Sequence, residues 1–145
     1  MEHLREIEIL LVEDNADDIE LTLRVLSKIN LANSIHIARD GEEALEYIFS
    51  NGASTGRGER DKPNIILLDL HLPKVDGLEV LQRIRADERT KMIPVIILTS
   101  STEEEDIIKS YEFNVSSYIV KPIGFDQFIR AASETGLYWM LLSKP

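Results

Sequence analysis

Short apolar runs that do not alternate with polar residues are the feature that most limits how this chain can fold. They span Ile7 to Val12, Ile65 to Leu70, Val95 to Leu98 and Tyr118 to Val120, with a weaker one at Ser34 to Ala38. Each is too short for a helix and is rich in Ile, Val or Leu. Unbroken apolarity of this length fits strands buried on both faces, the condition of a parallel sheet covered by helices on each side.

The stretches between the runs carry helical spacing. Ile19, Leu23 and Leu26 recur at i, i+4, i+7, and Gly77, Val80, Leu81 and Ile84 at i, i+3, i+4, i+7. Ala44, Leu45 and Ile48 follow Asp40-Gly41. Ser101-Thr102 precedes Glu104 and Glu105 at capping-box spacing and then Ile107, Ile108 and Tyr111, while Phe125, Phe128, Ile129 and Ala132 open the last helix. The order βαβαβαβαβα, with right-handed crossovers, predicts a doubly wound α/β fold of five parallel strands and five helices.

The 145 residues suit a single domain over 1–145. Ser50 to Asp61, with Gly52, Gly56 and Gly58, reads as a long exposed loop at 50–62 before the third strand. Residues 136–145 read as an extension of the last helix, where Leu137 to Leu142 sets six apolar residues in a row. Lys and Arg number 16 against 26 Asp and Glu, a net charge of −10, and a field of that sign opposes direct nucleic-acid binding. The absence of cysteine removes disulfides, thiolate metal sites and cysteine nucleophiles, and is compatible with a reducing compartment. The start has no signal-peptide pattern and no apolar run nears the ~18 residues of a membrane span. A cytoplasmic protein without membrane contact is expected.

In an open parallel sheet, ligands bind beyond the carboxyl ends of the strands. The first strand delivers Glu13 and Asp14, the third Asp69, the fourth Thr99 and Ser100, the fifth Lys121 and Pro122. Carboxylates that crowd together raise one another's pKa unless a cation compensates. Mg²⁺ is the natural compensator, since it takes oxygen ligands and keeps positions for water or a phosphoryl oxygen. Lys121 and Thr99 could then neutralise and hydrogen-bond the remaining phosphoryl oxygens, and Asp69, on the central strand, is the candidate nucleophile.

The ordered set Ile9-Leu10-Leu11-Val12-Glu13-Asp14-Asn15, Leu67-Leu68-Asp69-Leu70-His71-Leu72-Pro73-Lys74-Val75-Asp76-Gly77, Leu98-Thr99-Ser100 and Lys121-Pro122 resembles the receiver domain of bacterial two-component response regulators. The resemblance covers nearly the whole chain and implies a flavodoxin-like sheet. It implies that Asp69 accepts a phosphoryl group from the phosphohistidine of a sensor histidine kinase, forming an acyl phosphate. Asp14 and Asp69 would bind Mg²⁺ directly, Glu13 through water, and the backbone carbonyl of His71 would be a further ligand. Thr99 would move toward the phosphoryl group and Tyr118 would rotate inward behind it. Lys121 would pair with the phosphate, and the Lys121-Pro122 bond would be cis. A group that binds one conformation better shifts the population toward it, and the altered face would be the fourth helix, fifth strand and fifth helix.

Departures from the family pattern are Glu13, where Asp is common, and His71 and Ser101, at positions that tune how water reaches the phosphoryl group; a slow decay is expected. Many relatives continue into a DNA-binding domain, whereas this sequence stops at Pro145, so a stand-alone receiver that docks on a downstream protein is expected. The long loop with the Leu137-Tyr138-Trp139 run resembles small receivers paired with phytochrome-type sensor kinases. In that reading the terminal apolar run joins two copies in a homodimer; the alternative is a helix end folded back on the core.

Other readings compete. A Mg²⁺-dependent aspartate-nucleophile phosphatase of the haloacid dehalogenase type wants a second Asp two residues after the nucleophile, where this chain has His71. A flavodoxin-like cofactor binder needs a Ser/Thr/Gly phosphate loop after the first strand, where the acidic Glu13-Asp14 corner would repel phosphate. A phosphorylation-independent interaction module usually lacks the acceptor or the lysine, and both are present. A calcium loop from Asp14 fails at Ala16 and lacks the glycine at its sixth place. Asp17 and Asp18 read as first-turn acids suited to a helix dipole, His36 as an ordinary strand residue, and Gly77 as a packing position or the close approach of helix and loop. By composition alone Tyr118 reads as core.

Overall fold

The computed structural model describes residues 8–29, 35–49, 62–100, 103 and 113–134. Within them lie β1 (Ile9–Val12), β2 (Ile35–Ala38), β3 (Ile65–Asp69), β4 (Val95–Thr99) and β5 (Ser117–Val120), and the helices α1 (Ala16–Ser27), α2 (Gly41–Phe49), α3 (Gly77–Ala86) and α4 (Phe125–Ser133). The strands form one sheet in the order β2-β1-β3-β4-β5, with every neighbouring pair parallel. This is the expected doubly wound fold; α4 here is the fifth helix of the sequence reading. The helix expected after Ser101-Thr102, the loop at 50–61 and the terminal extension at 136–145 lie outside the described residues, Glu103 apart.

Side chains of the central strands alternate between two cores. Ile9, Leu11, Ile65, Leu67, Ile96 and Leu98 meet α1 and α4 through Ile19, Val25, Leu26, Phe128, Ala131 and Ala132. Leu10, Val12, Ile66, Leu68, Val95 and Ile97 face α2 and α3, where Ala44, Leu45, Ile48, Val80, Leu81 and Ile84 are buried. Burial on both faces explains why these strands carry no polar alternation. The edge strands depart from that expectation. His36 and Val120 are exposed, and Ile35, Ile37, Ser117 and Tyr118 are half-buried, because an outer strand has a neighbour on one side only.

Local chemistry fixes where the helices begin. Asn15 caps α1 by accepting the Asp18 N–H at 2.9 Å, and Asp76 caps α3 by accepting the Leu78 N–H at 3.2 Å. Before α2, Asp40 accepts from the Glu43 N–H at 2.7 Å while the Glu43 carboxylate accepts from the Arg39 N–H at 2.9 Å, a variant of the reciprocal capping box. On α1 the buried face is Ile19, Thr22, Val25 and Leu26, with Leu23 only half-buried. Thr22 is tolerated there because its hydroxyl donates to the Asp18 carbonyl at 2.9 Å.

Candidate functional site

The sheet order places the strand-order reversal between β1 and β3, where the helices leave toward opposite faces. Val12 pairs with Leu68 across that boundary, so Glu13 and Asp69 follow side by side. Asp14 joins them: one carboxylate oxygen from each of Glu13, Asp14 and Asp69 lies within 4.8 Å of the others. Glu13 is 0% and Asp69 4% exposed, while Asp14 opens to solvent.

Two further strand ends supply the other groups. Thr99, fully buried, ends β4 and pairs with Val120. The Lys121 N–H then donates to the Thr99 carbonyl at 2.8 Å, which fixes the start of the lysine side chain beside Thr99. Its ammonium reaches back over the rim to lie 3.0 Å from Glu13 Oε1, 3.0 Å from Asp18 Oδ2 and 3.2 Å from Asp69 Oδ2. The Lys121-Pro122 peptide is cis. Tyr118 stands opposite Ile97, half-buried against the core shared by α2 and α3. His71 is exposed at the rim, and its backbone N–H donates to Asp69 Oδ1 at 3.3 Å. Thus Glu13, Asp14, Asp69, Thr99 and Lys121 share one rim as expected. Tyr118 sits further back on its strand.

A residue the sequence reading left in a generic role also enters. Asp18, in the first turn of α1, accepts a hydrogen bond from Lys121 Nζ. Its spacing four residues beyond Asp14 would put it one helical turn above the rim, but its partner is 103 residues away, and no local pattern identifies that.

Burial lifts the pKa of Glu13 to about 7, with the nearby Asp69 charge adding to the effect and Lys121 opposing it. Burial alone would lower Lys121, but the carboxylates of Glu13, Asp18 and Asp69 outweigh it and hold the lysine above its ordinary value. Glu13 Oε2 accepts the Asn15 N–H at 3.2 Å. Oε1, buried, has no assigned hydrogen-bond donor and lies 3.0 Å from the Lys121 ammonium. An orphaned carboxylate oxygen within a three-carboxylate group is the donor set that a hard divalent cation requires, so the residues fit such an ion.

Asp69 is held from below by the start of α3. The Gly77 N–H donates to the Leu70 carbonyl at 3.0 Å. A Cβ on Gly77 would lie less than 3.0 Å from Asp69 O and from two backbone atoms of Leu70. Gly77 is therefore a close approach of helix and strand end.

Comparison with known proteins places these features in a wider group. Residues 9–133 match the response regulator receiver domain. The bacteriophytochrome response regulator RtBRR is 48% identical, with a TM-score of 0.88 over 97% of this chain and 84% of its own. The bacteriophytochrome response regulator AtBRR is 47% identical, with a TM-score of 0.84 over 97% of this chain and 100% of its own. Response regulator Rcp1 from Synechocystis is 37% identical over 132 residues, 91% of this chain and 88% of its own length. A Mn²⁺-bound form of Rcp1 superposes with a TM-score of 0.71 at 35% identity, over 96% of each chain.

Proposed function

Since this chain belongs to the response regulator receiver family, we propose that Asp69 is its phospho-acceptor and that the protein is a signalling switch operated by a sensor histidine kinase of phytochrome type. In the transfer an Asp69 carboxylate oxygen attacks phosphorus. The new O–P bond forms as the bond from phosphorus to the donor's imidazole nitrogen breaks, and the imidazole keeps the electron pair. The observation that carries this reading is the placement of a nearly buried Asp69 with one carboxylate oxygen 3.2 Å from Lys121 Nζ and the other held by the His71 N–H.

Glu13, Asp14, Asp69 and the His71 carbonyl are the groups proposed to hold Mg²⁺, which when bound supplies the positive charge that lets phosphoryl oxygens approach. The remaining work falls to the chain. The His71 N–H orients the Asp69 carboxylate. Lys121 pairs with the phosphoryl oxygens, and the Thr99 hydroxyl hydrogen-bonds them. Acyl phosphate formation adds charge that only a conformation with Thr99 and Lys121 close can satisfy, and Tyr118, on β5 three residues before Lys121, registers the change on the face of β5 and α4.

The finer readings follow from the same premise. The chain acts as one cytoplasmic domain and turns over no substrate beyond its own transfer and slow dephosphorylation. Its output is docking on a protein, with the apolar run Leu137 to Leu142 joining two copies. Among the described residues no helix is long and apolar enough to cross a membrane.

The test is mass-spectrometric labelling with acetyl phosphate, with and without Mg²⁺, on the native chain and on Asp69→Asn. A Mg²⁺-dependent gain of one phosphoryl group, absent from the variant, is expected. No gain under conditions that label a control receiver overturns the switch, and catalytic consumption of donor without labelling would instead favour the phosphatase.

A further inference from the structure

We propose that Asp18 is a positioning residue for Lys121: it holds the ammonium at the rim so that Glu13 and Asp69 are free to be taken by the divalent cation. This rests on the assignment of those two carboxylates as metal ligands. The ammonium touches three carboxylates, and two of them, Glu13 and Asp69, belong to the group fit for a metal. A divalent cation and the ammonium therefore compete for the charge of these carboxylates, and the cation gains where the lysine is held by another partner. Asp18 lies outside that group and accepts a hydrogen bond from Lys121 Nζ at 3.0 Å, a contact as short as the one to Glu13 Oε1.

Asp18 is also built to stay in place. Its N–H is held by the Asn15 side chain at 2.9 Å and its carbonyl by the Thr22 hydroxyl at 2.9 Å, so the backbone carrying the carboxylate is fixed at both ends of one helical turn. The pair is partly withdrawn from water, with side chains 19% and 26% exposed for Lys121 and Asp18, which limits solvent screening. The plainer role, an acid in the first turn favoured by the helix dipole, applies equally to Asp17, which is exposed in the same turn and is not among the ammonium's contacts. Asp17 is therefore the internal control.

The experiment is calorimetric titration of the full chain with Mg²⁺ at fixed pH and ionic strength, for wild type, Asp18→Asn, Asp17→Asn, Lys121→Met and the Asp18→Asn/Lys121→Met pair, each first checked for a cooperative thermal transition. Asparagine is isosteric, so α1 keeps its cap and its carbonyl bond. Asp18→Asn is expected to weaken Mg²⁺ about tenfold, the low end of the effect of changing groups that support metal ligands. Asp17→Asn is expected to weaken it about twofold, as a screened exposed charge does. With Lys121→Met in the background, the Asp18→Asn effect is expected to shrink to that of Asp17→Asn. An Asp18→Asn effect no larger than that of Asp17→Asn overturns the proposal, and so does an undiminished effect in the Lys121→Met background, which would make Asp18 a direct ligand or a through-space charge. Absence of Mg²⁺ binding by wild type overturns the metal assignment itself, and this proposal with it.

Discussion

Replacing Gly77 by alanine sets two opposite effects against each other at the base of Asp69. Alanine is intrinsically the better helix residue by at most ~1 kcal/mol, and Gly77 opens α3. Against this, the added Cβ would lie under 3.0 Å from Asp69 O, Leu70 Cα and Leu70 O. All three are backbone atoms, so no side chain can rotate away to relieve the overlap. Overpacking of this kind costs about 1–3 kcal/mol, and a contact made only with backbone belongs at the upper end. The net expectation is a loss of about 2 kcal/mol, read as a lower urea midpoint at unchanged slope. The relief available is for α3 to move off β3, which drags the Leu70 carbonyl that Gly77 N–H holds at 3.0 Å and with it the aim of Asp69. Displacement of a reacting group by 1 Å can cost about 100-fold, so labelling by acetyl phosphate should slow by ten- to 100-fold while Mg²⁺-dependence persists. A Gly77→Ala chain as stable as wild type, labelling at the same rate, would refute the close-approach reasoning.

Substitutions at two further positions test how the scaffold carries the site. The Arg85 guanidinium donates to the carbonyls of Phe113 (2.7 Å), Ile93 (2.8 Å), Lys91 (3.0 Å) and Asn114 (3.1 Å), clamping the end of α3 to the approaches of β4 and β5; counting only the two part-buried bonds at ~1.5 kcal/mol each, Arg85→Ala should lose about 3 kcal/mol in urea denaturation. Arg85→Lys should recover little of it because an ammonium cannot span the fork, so a lysine variant as stable as wild type would contradict the clamp. Phe128, 0% exposed between α4 and the sheet, should lose about 3–5 kcal/mol as alanine, a large part of a stability of about 5–15 kcal/mol; a thermal midpoint within a few degrees of wild type would show that the α1–α4 side is not the core it is taken to be.

What the sequence made legible is what short-range periodicity determines. Gly77, Val80, Leu81 and Ile84 are all buried on α3 as their spacing requires, and every expected strand is present. The misreadings have local physical causes. Leu23 gave way to Thr22 and Val25 on the buried face of α1, because a threonine bonded to a carbonyl one turn back counts as polar by type yet packs as apolar. The edge strands are less buried than their apolar runs promised, since the same residues serve a strand with one neighbour or two. Arg85 gave no signal at all, because its partners are backbone carbonyls, which every residue has. Asn114, at φ 56°, shows its left-handed turn only once the carbonyl it presents to Arg85 is seen.

Strand ends could be read from the sequence, but the pairing across the rim could not, and charge explains why that pairing matters. Three carboxylates, Glu13, Asp18 and Asp69, meet one ammonium there, and a fourth, Asp14, stands beside Glu13 and Asp69. The chain relieves the imbalance in part through Glu13, whose pKa near 7 leaves it poised toward its neutral form. A phosphoryl dianion entering such a rim would deepen the imbalance, so affinity for a phosphodonor and affinity for a divalent cation must rise together, and the coupling is reciprocal by linkage. Lys121 answers both demands only if it can leave Glu13 and Asp69 without leaving the rim. Among the carboxylates it touches, Asp18 alone lies outside the group fit for the metal, and it is therefore where the lysine can stay.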